Sequence, residues 1–257
     1  MKTIPWDKLL EGSKHVEDPV SITIGVFDGV HRGHQALIRE VTRDSSLQSL
    51  VITFSNNPFA VLRPDVFRGY LQSLPMKLER LENLGVSGVV IIDFSHDFSK
   101  LTGEKFLTLL STRLNIKKLV LGSNHKFGQG EGMGPDEARR FCEDNSIELV
   151  VVPAIKMGET RVSSTRVRTA LLEGRIEEAR ELLGGSYALD LSELNGESGP
   201  GRVRLLREKV PQILPPPGTY QVRLNQLKDG FATDLKLDHQ WLEWNNPADM
   251  QVKKIFF

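Results

Sequence analysis

Short β-branched runs alternate with helix-like stretches through residues 20–184, and this alternation constrains the fold more than any other feature of the 257-residue chain. The predicted strands are Ser21–Phe27, Leu50–Phe54, Gly88–Ile92, Lys118–Gly122 and Glu148–Pro153. The predicted helices cover residues 33–44, 76–84, 103–114, 135–144 and 164–173. Alternating strands and helices form parallel sheets, and continuously apolar strands indicate a sheet covered on both faces. We therefore predict a doubly wound α/β domain whose ligand lies beyond the carboxyl ends of the strands.

The pattern changes after Gly184-Gly185, which predicts two domains, at residues 1–185 and 186–257. Turn-rich stretches follow, including Pro215-Pro-Pro-Gly218. Strand-like pieces remain at Arg202–Leu206, Thr219–Leu224, Gly230–Leu235, Gln240–Trp244 and Gln251–Phe257. Short strands separated by turns predict a small antiparallel, β-barrel-like second domain.

Composition favours a globular protein over a nucleic-acid-binding or membrane protein. Lys plus Arg and Asp plus Glu each number 33, so the chain lacks the basic excess typical of nucleic-acid binders. No apolar run approaches the roughly 18 residues that a membrane-spanning helix requires. The single cysteine, Cys142, permits no intrachain disulfide and no cysteine-based zinc site. The first residues lack an apolar signal region, so we expect a cytoplasmic location, while the oligomeric state is left open.

The segment Ile24-Gly-Val-Phe-Asp-Gly-Val-His-Arg-Gly-His-Gln35 carries the strongest functional signal. It places a glycine-rich turn between a predicted buried strand and a predicted helix. Glycines allow close backbone approach to a ligand, and a helix N-terminus presents N–H groups and partial positive charge. His31 and His34 are three residues apart, so they share one face of the first helical turn. The segment therefore favours a phosphate-binding site.

Two other interpretations of this segment are open. An HxxH pair can bind zinc, although no third ligand is suggested nearby in the sequence. A structural pair of histidines is common in proteins generally, and a lone glycine-rich turn is a weak signal. The combination of strand, turn, helix and two histidines favours phosphate over both.

A second segment, Val162-Ser-Ser-Thr-Arg-Val-Arg168, opens a predicted helix. Its three hydroxyl residues supply a helix cap and additional donors, and Arg168 can donate forked hydrogen bonds to phosphate oxygens. Taken alone, the segment is more typical of an ordinary N-cap followed by surface arginines. Only its pairing with the first segment favours a phosphate role.

Two further loops follow predicted strands, where α/β domains carry functional residues. They are Gly122-Ser-Asn-His-Lys-Phe-Gly128 and Phe54-Ser-Asn-Asn-Pro-Phe59. Both combine polar side chains with aromatic rings, Phe127 in the first loop and Phe54 and Phe59 in the second. The rings can face a planar ligand or belong to ordinary turns with core aromatics.

Together these segments resemble the bacterial bifunctional riboflavin kinase/FAD synthetase family. The first is similar to its GxFDGVHxGHQ signature, and Val162–Arg168 is similar to its ISSTxIR signature. The resemblance covers residues 15–190 in order and spacing. It implies a nucleotidylyltransferase domain that transfers AMP from ATP to FMN, giving FAD and pyrophosphate, with Mg²⁺ accompanying ATP.

The resemblance also implies roles for individual residues. The catalytic residues would be His31, His34 and Arg168. The ATP site would comprise Gly25, Phe27, Asp28, Gly29, Ser163, Ser164 and Thr165. The flavin site would comprise Phe54, Asn57, Pro58, Asn124 and Phe127. No residue is assigned as a metal ligand.

The chain departs from the family pattern at several positions. Asn124 and His125 stand where the family usually has an acid and an aromatic residue, and Asn57 stands where His is common. These changes concern flavin affinity more than adenylyl transfer. The C-terminal region lacks the family's GxPTAN segment, although Glu243 resembles the glutamate of the kinase barrel. We therefore expect a shortened kinase-like region without riboflavin kinase activity.

Three alternatives remain open on the sequence. The chain can be a nucleotidylyltransferase that uses a nicotinamide, pantetheine or choline phosphate. It can be a non-catalytic flavin-binding protein that kept the fold. It can also be a bifunctional riboflavin kinase/FAD synthetase whose kinase residues escape recognition.

Overall fold

The computed structural model describes residues 1–12, 16–199, 201–226, 230–246 and 251–257. Their contacts divide the chain into two compact units. The first comprises Met1–Phe67 and Lys77–Arg161, and the second comprises Arg68–Met76 and Val162–Phe257. The predicted domain boundary after residue 185 lies inside the second unit; as a division between functional domains it stays a prediction.

The first unit is built on a six-stranded parallel sheet. Its strands are β1 (Lys2–Pro5), β2 (Val16–Ile24), β3 (Gln48–Phe54), β4 (Gly88–Ile92), β5 (Leu114–Gly122) and β6 (Glu148–Val152). Its helices are α1 (Trp6–Leu10), α2 (Arg32–Val41), α3 (Pro58–Leu62), α4 (Leu74–Asn83, in this unit from Lys77 onward), α5 (Gly103–Ser111) and α6 (Pro135–Asp144). The strand order is β1-β4-β3-β2-β5-β6, and a short hairpin of β7 (Lys156–Met157) and β8 (Thr160–Arg161) follows.

Apolar side chains cover both faces of this sheet. Leu50 and Ile52 of β3 lie in one buried cluster, whereas Val51 between them lies in another. Successive side chains of a strand point to opposite faces, so the two clusters occupy opposite sides of the sheet. Helices α2 and α4 supply Ile38 and Leu81 to the Val51 cluster, and α1, α5 and α6 pack on the other side. The predicted doubly wound α/β architecture is confirmed.

Side-chain caps determine where several of these helices begin. His31, Asn57 and Thr102 each accept a hydrogen bond from a backbone N–H in the first turn of α2, α3 and α5, respectively. Such bonds satisfy donors that have no partner within the helix. The two caps that follow β2 and β3 belong to segments that the sequence predicts to be functional.

The ends of some elements differ from the prediction. Leu114 was expected to close the helix over residues 103–114, but α5 ends at Ser111 and Leu114 begins β5. There Leu114 pairs with Val16 of β2, so sheet pairing overrides the helical spacing of the leucines. The short elements β1 and α1 were not predicted, because stretches of four and five residues carry little periodicity.

The second unit combines two helices with an antiparallel sheet. The helices are α7 (Ser164–Leu172) and α8 (Ile176–Leu183). The strands are β9 (Ala188–Asp190), β10 (Glu197–Gly199), β11 (Arg202–Leu206), β12 (Gly218–Leu224), β13 (Phe231–Leu237), β14 (Trp241–Asn245) and β15 (Lys254–Phe256). They form one open, barrel-like sheet in the order β10-β11-β14-β13-β12-β15-β9. The predicted antiparallel character of the C-terminal region is confirmed.

No helix among the described residues combines the length and apolar character needed to cross a membrane. The cytoplasmic location stays a prediction, as does the absence of nucleic-acid partners.

Candidate active site

The turn that joins β2 to α2 has an unusual backbone. Phe27, Gly29 and Val30 all have positive φ angles, of 51°, 85° and 37°. Only glycine adopts this region without strain, and a β-branched residue there is a marked outlier. The side chain of Gln35, within α2, donates a 2.9 Å hydrogen bond to the Val30 carbonyl oxygen and helps to hold the turn. Strained turns persist where the surrounding structure fixes them, and they concentrate at functional sites.

The two histidines of the HxGH segment lie together at the N-terminus of α2. Their rings stack with centroids 3.6 Å apart and planes 13° from parallel. His31 is the N-cap, and its Nδ1 accepts a 3.3 Å hydrogen bond from the backbone N–H of His34. Since Nδ1 acts as the acceptor, a neutral His31 carries its proton on Nε2 and can donate from that atom. The predicted shared face is confirmed.

The environment of His34 favours its neutral form. The pKa of His34 is lowered well below its usual range, chiefly because burial disfavours the charged imidazolium. The nearby rings of His31 and His125 and the charges of Lys77 and Arg80 lower it further. His34 Nδ1 is buried and has no hydrogen-bond partner within the described parts of the chain. An anionic ligand at this position would satisfy that nitrogen if it carries a proton.

A nearly buried lysine ties the carboxyl ends of β2 and β3 together. Lys77 Nζ donates hydrogen bonds to the carbonyl oxygens of Val26 and Phe54, at 3.1 and 2.8 Å. It also donates to Thr53 Oγ1 at 3.3 Å. Burial lowers the pKa of Lys77 to about 8, although the negative charge of Asp28 opposes that change. Lys77 therefore fixes the backbone from which the two loops predicted to bind ligands depart.

Asp28 and Asn57 form a second buried contact between these loops. Asn57 Nδ2 donates to Asp28 Oδ2 across 3.3 Å, and both residues are buried. Asn57 Oδ1 accepts from the backbone N–H of Phe59 and thereby caps α3. In this structure Asn57 is thus engaged with the protein; its predicted contact with flavin stays a prediction.

An aromatic cavity of about 390 Å³ opens beside the turn after β2. Its lining includes Ile24, Gly25 and Val26 from that strand and turn. The remaining walls are mostly apolar and aromatic, formed among others by Phe54, Pro58, Phe59, Leu62, Phe94, Phe98, Leu101, Phe106, His125, Phe127 and Gly128. The ring planes of Phe54, Phe94 and Phe98 meet edge to face, with centroids 5.4 to 5.9 Å apart. Its size and flat aromatic walls suit a planar heteroaromatic ligand.

Three of the five predicted flavin residues line this cavity: Phe54, Pro58 and Phe127. Asn57 and Asn124 do not line it, and Asn124 is exposed.

The loop that carries Phe127 packs closely against the first residue of α5. A Cβ atom at Gly128 would lie 2.2 Å from the backbone nitrogen of Gly103, so only glycine fits there.

The predicted ATP residues in the turn between β2 and α2 differ in their solvent exposure. Gly25 lines the cavity, and a side chain there would press on the Phe27 ring. Phe27 and Asp28 are both buried, and the Phe27 ring packs against His34 with centroids 5.1 Å apart. Phe27 therefore presents backbone rather than ring to the outside, while Gly29 supplies the left-handed turn conformation.

The serine-rich segment lies in the second unit, at the start of α7. Ser163 is the N-cap and accepts a 3.2 Å hydrogen bond from the backbone N–H of Arg166. The Arg166 guanidinium is paired with Glu178 of α8 at 2.9 Å. Arg168 Nε donates to the carbonyl oxygen of Gly69 at 3.3 Å. The phosphate roles of Ser163, Ser164, Thr165 and Arg168 stay predictions.

Several residues at this site were not predicted from the sequence to belong to it. Neither Lys77 nor Thr53 was assigned a role in the site from the sequence. Phe94 and Phe98 were also missed, because the stretch after β4 has no recognised motif. An available signal was the placement of aromatic residues directly after a buried strand, where α/β domains bind ligands.

The comparisons with known proteins bear on the same region. A profile of the FAD synthetase family matches residues 13–166, more than half of the chain. The chain is 31% identical over 204 residues to an FAD synthetase of Listeria monocytogenes, covering 78% of this chain and 79% of that protein. It is also 31% identical over 234 residues to a bifunctional riboflavin kinase/FMN adenylyltransferase of the same organism, covering 87% of this chain and 73% of that protein.

A solved structure shares the overall fold. A protein of Streptococcus pneumoniae, described as a macrolide-efflux protein, superposes with a TM-score of 0.80 and 24% identity, over 100% of this chain and 89% of that one. At this identity the likeness concerns the fold alone. The profile match and the two relatives concern the sequence itself, and the residues that the profile matches include the histidine segment and the loops that line the cavity. The chain is a member of the FAD synthetase family.

Proposed function

We propose that this protein is an FMN adenylyltransferase that transfers AMP from ATP to FMN, giving FAD and pyrophosphate. One observation carries the proposal. The stacked pair His31–His34 begins α2, and the turn before it contributes Gly25 and Val26 to the wall of an aromatic cavity. A phosphate-binding element and a site for a flat ring are thus joined by six residues of one turn.

The reaction depends mainly on the positioning of its two substrates and on stabilisation of the charge that develops in the transition state. A phosphate oxygen of FMN attacks the α-phosphorus of ATP, a new P–O bond forms, and the bond to the bridging oxygen of pyrophosphate breaks. The attacking group is already an anion, so no strong general base is required. His31 and His34 would donate hydrogen bonds to the phosphate oxygens that gain charge in the transition state. The lowered pKa of His34 lets that residue act as a neutral donor.

The proposal extends to the other predicted ligand contacts. Gly25, Asp28 and Gly29 would border ATP through the backbone and polar groups of the turn. The hydroxyls of Ser163, Ser164 and Thr165, with Arg168, would contact ATP phosphates. Support for these roles comes from family membership and from the match of their segment to the family signature. Substitution at each position tests them one by one.

Magnesium would enter as a complex with ATP. Across the described ranges, no group of three or more His, Cys, Asp and Glu side chains is arranged to hold a metal ion. Magnesium commonly keeps several waters and binds substrate phosphates with one or two protein carboxylates, so it needs no such group. When bound, it would neutralise phosphate charge, and the residues named above would hold and orient the two substrates.

We further propose that the antiparallel sheet of the second unit lacks riboflavin kinase activity. The support is the absence of a GxPTAN segment from the sequence. In addition, Glu243 of β14 lies 3.5 Å from an Arg202 nitrogen and 3.8 Å from an Arg204 nitrogen on β11. Each oxygen of the Glu243 carboxylate thus faces an arginine side chain of the neighbouring strand, an arrangement typical of a cross-strand ion pair.

An acceptor panel tests both parts of the proposal. The protein is incubated with ATP and Mg²⁺ and, separately, FMN, riboflavin, nicotinamide mononucleotide, phosphopantetheine or phosphocholine, with products resolved by chromatography. The proposal predicts FAD from FMN and no product from the other four. A product from another phosphate acceptor, with none from FMN, would reassign the substrate. Formation of FMN from riboflavin would show that the second unit is a kinase.

A further inference from the structure

His125 is a partly buried polar residue that the chemistry above leaves unused. Its ring lies in the wall of the aromatic cavity and stacks on Phe127, with centroids 5.5 Å apart and planes at 29°. Its Nε2 atom is buried and has no hydrogen-bond partner among the residues that the structure describes. A buried polar atom without a partner is energetically unfavourable, and a ligand can supply what the protein does not.

The position of His125 is informative because it also lies close to the histidine pair. Its ring contributes to the lowered pKa of His34, so the two imidazoles are within electrostatic reach of each other. His125 therefore lies where the aromatic cavity meets the proposed phosphate-binding element. Burial lowers its own pKa to about 4, which leaves it neutral near pH 7. A neutral imidazole offers one donor and one acceptor.

Three other polar side chains around the cavity are weaker candidates than His125 for a hydrogen bond to the ligand. Arg63, Lys126 and Glu131 line it, but all three residues are exposed and remain solvated without a ligand. Exposed groups gain little when a ligand replaces water. The buried Nε2 atom of His125 gains more, so His125 is the stronger candidate for setting ligand preference.

We propose that His125 is a specificity-determining residue that hydrogen-bonds the hydroxylated chain linking the flat ring of the acceptor to its phosphate. The inference rests on the proposed function. With the ring of FMN in the aromatic cavity and its phosphate at His31 and His34, the ribityl chain passes the wall that His125 forms. Hydroxyl groups both donate and accept, which matches a neutral imidazole.

The test combines protein variants with a changed ligand. FMN is compared with an analogue whose ring and phosphate are joined by a five-carbon chain without hydroxyls. The variants are His125→Phe, which keeps a ring but removes hydrogen bonding, and His125→Gln, which restores a donor and an acceptor. An exposed histidine in the second unit provides the control variant His239→Phe. Dissociation constants come from flavin fluorescence, kcat and KM from FAD formation, and folding from thermal unfolding.

We expect the wild type to bind FMN roughly tenfold more tightly than the analogue, as one well-placed hydrogen bond allows. His125→Phe should lose this preference through KM and the dissociation constant, with kcat changed less. His125→Gln should recover part of it, and His239→Phe should retain it fully. A rescued preference in His125→Gln separates a ligand contact from a purely structural role.

The outcomes also separate this inference from the proposed activity. A folded His125→Phe protein that prefers FMN over the analogue as strongly as the wild type, while still forming FAD, overturns the inference alone. A wild type that forms no FAD, but whose binding preference depends on His125, overturns the proposed activity and supports the inference about the site. Loss of both the activity and the preference overturns both.

Discussion

Lys77 Nζ donates a 2.8 Å hydrogen bond to the carbonyl oxygen of Phe54, the residue at which β3 ends and the aromatic cavity begins. The same ammonium group bonds the Val26 carbonyl oxygen, after β2. One charged side chain thus fixes the carboxyl ends of two neighbouring strands, and the two loops proposed to bind the substrates begin there. The arrangement places a nearly buried positive charge beside the candidate site, and the burial of that charge should make stability depend on pH.

The pH dependence of stability should report on Lys77. Its pKa falls from 10.5 to about 8 in the folded protein, so between these values the unfolded chain binds a proton that the folded protein does not. Stability attributable to this group therefore rises as pH increases from 8 toward 10.5, because a destabilising charge present below pH 8 is lost. Over that window the gain is on the order of 3 kcal/mol.

Lys77→Met removes the titrating group and provides the comparison. Urea unfolding of both proteins at pH 7, 8, 9 and 10 should show the wild type gaining stability relative to Lys77→Met as pH rises. The exposed control Lys209→Met corrects for removal of a solvated lysine. A difference between wild type and Lys77→Met that stays constant from pH 7 to 10 would contradict the lowered pKa.

Much of the fold follows from the sequence because local and global preferences agree. The strand predicted at Gly88–Ile92 and the helix predicted over residues 135–144 match the structure at both ends. Leu114 shows where local reasoning fails: helical spacing placed it in α5, but pairing with β2 draws it into β5. The pairing partner lies almost 100 residues away, and no local pattern reports it.

The neutral state of the buried imidazoles can be observed directly. Burial is the main cause of the lowered pKa of both His34 and His125, and the latter falls to about 4. We expect the ring resonances of these two residues to stay unchanged as the free protein is titrated from pH 8 to pH 6. Assignment by His34→Gln and His125→Gln identifies the signals in NMR spectra. A midpoint near 6.5 for either residue would contradict the account, since that is the value of a solvated histidine.

The rim of the cavity can be probed without disturbing the core. Phe59 lines the cavity yet is 59% exposed, so Phe59→Ser should cost little stability while weakening FMN binding several-fold through lost apolar contact. Phe231 is 42% exposed on β13 in the second unit, and Phe231→Ser is the matched control. Titration of flavin fluorescence measures both. Equal FMN affinities in the two variants would argue against the cavity as the ring site.

Two glycines of one loop should respond very differently to the same change. Gly128 and Gly130 both have positive φ. A Cβ atom at Gly128 would lie 2.2 Å from the backbone nitrogen of Gly103, whereas a Cβ atom at Gly130 would have no neighbouring atom within 4 Å. Gly130→Ala carries only the conformational cost of about 1 kcal/mol. Gly128→Ala must also displace backbone, so it should cost more than about 3 kcal/mol. Chemical denaturation compares them, and similar losses would contradict the described packing of this loop.

The site was less predictable than the fold. The spacing of His31 and His34 predicts the shared face that the structure shows, because three-residue spacing in a helix is a local property. The loop after β3 was predicted to contact the flavin through Phe54, Asn57 and Pro58; Phe54 and Pro58 line the cavity, whereas Asn57 turns inward to Asp28. Sequence order specifies which loops meet at the strand ends. Which side chains of a loop face the ligand depends on packing between distant segments.

The most direct test measures FAD and pyrophosphate together in one reaction of ATP, Mg²⁺ and FMN, for wild type and for His34→Ala. The account predicts one FAD for each pyrophosphate in the wild type. For His34→Ala it predicts a fall in kcat of about a hundredfold or more, with FMN binding largely kept, because the lost contact strengthens in the transition state. Absence of FAD from a folded wild type, or an unchanged kcat in His34→Ala, would contradict the account.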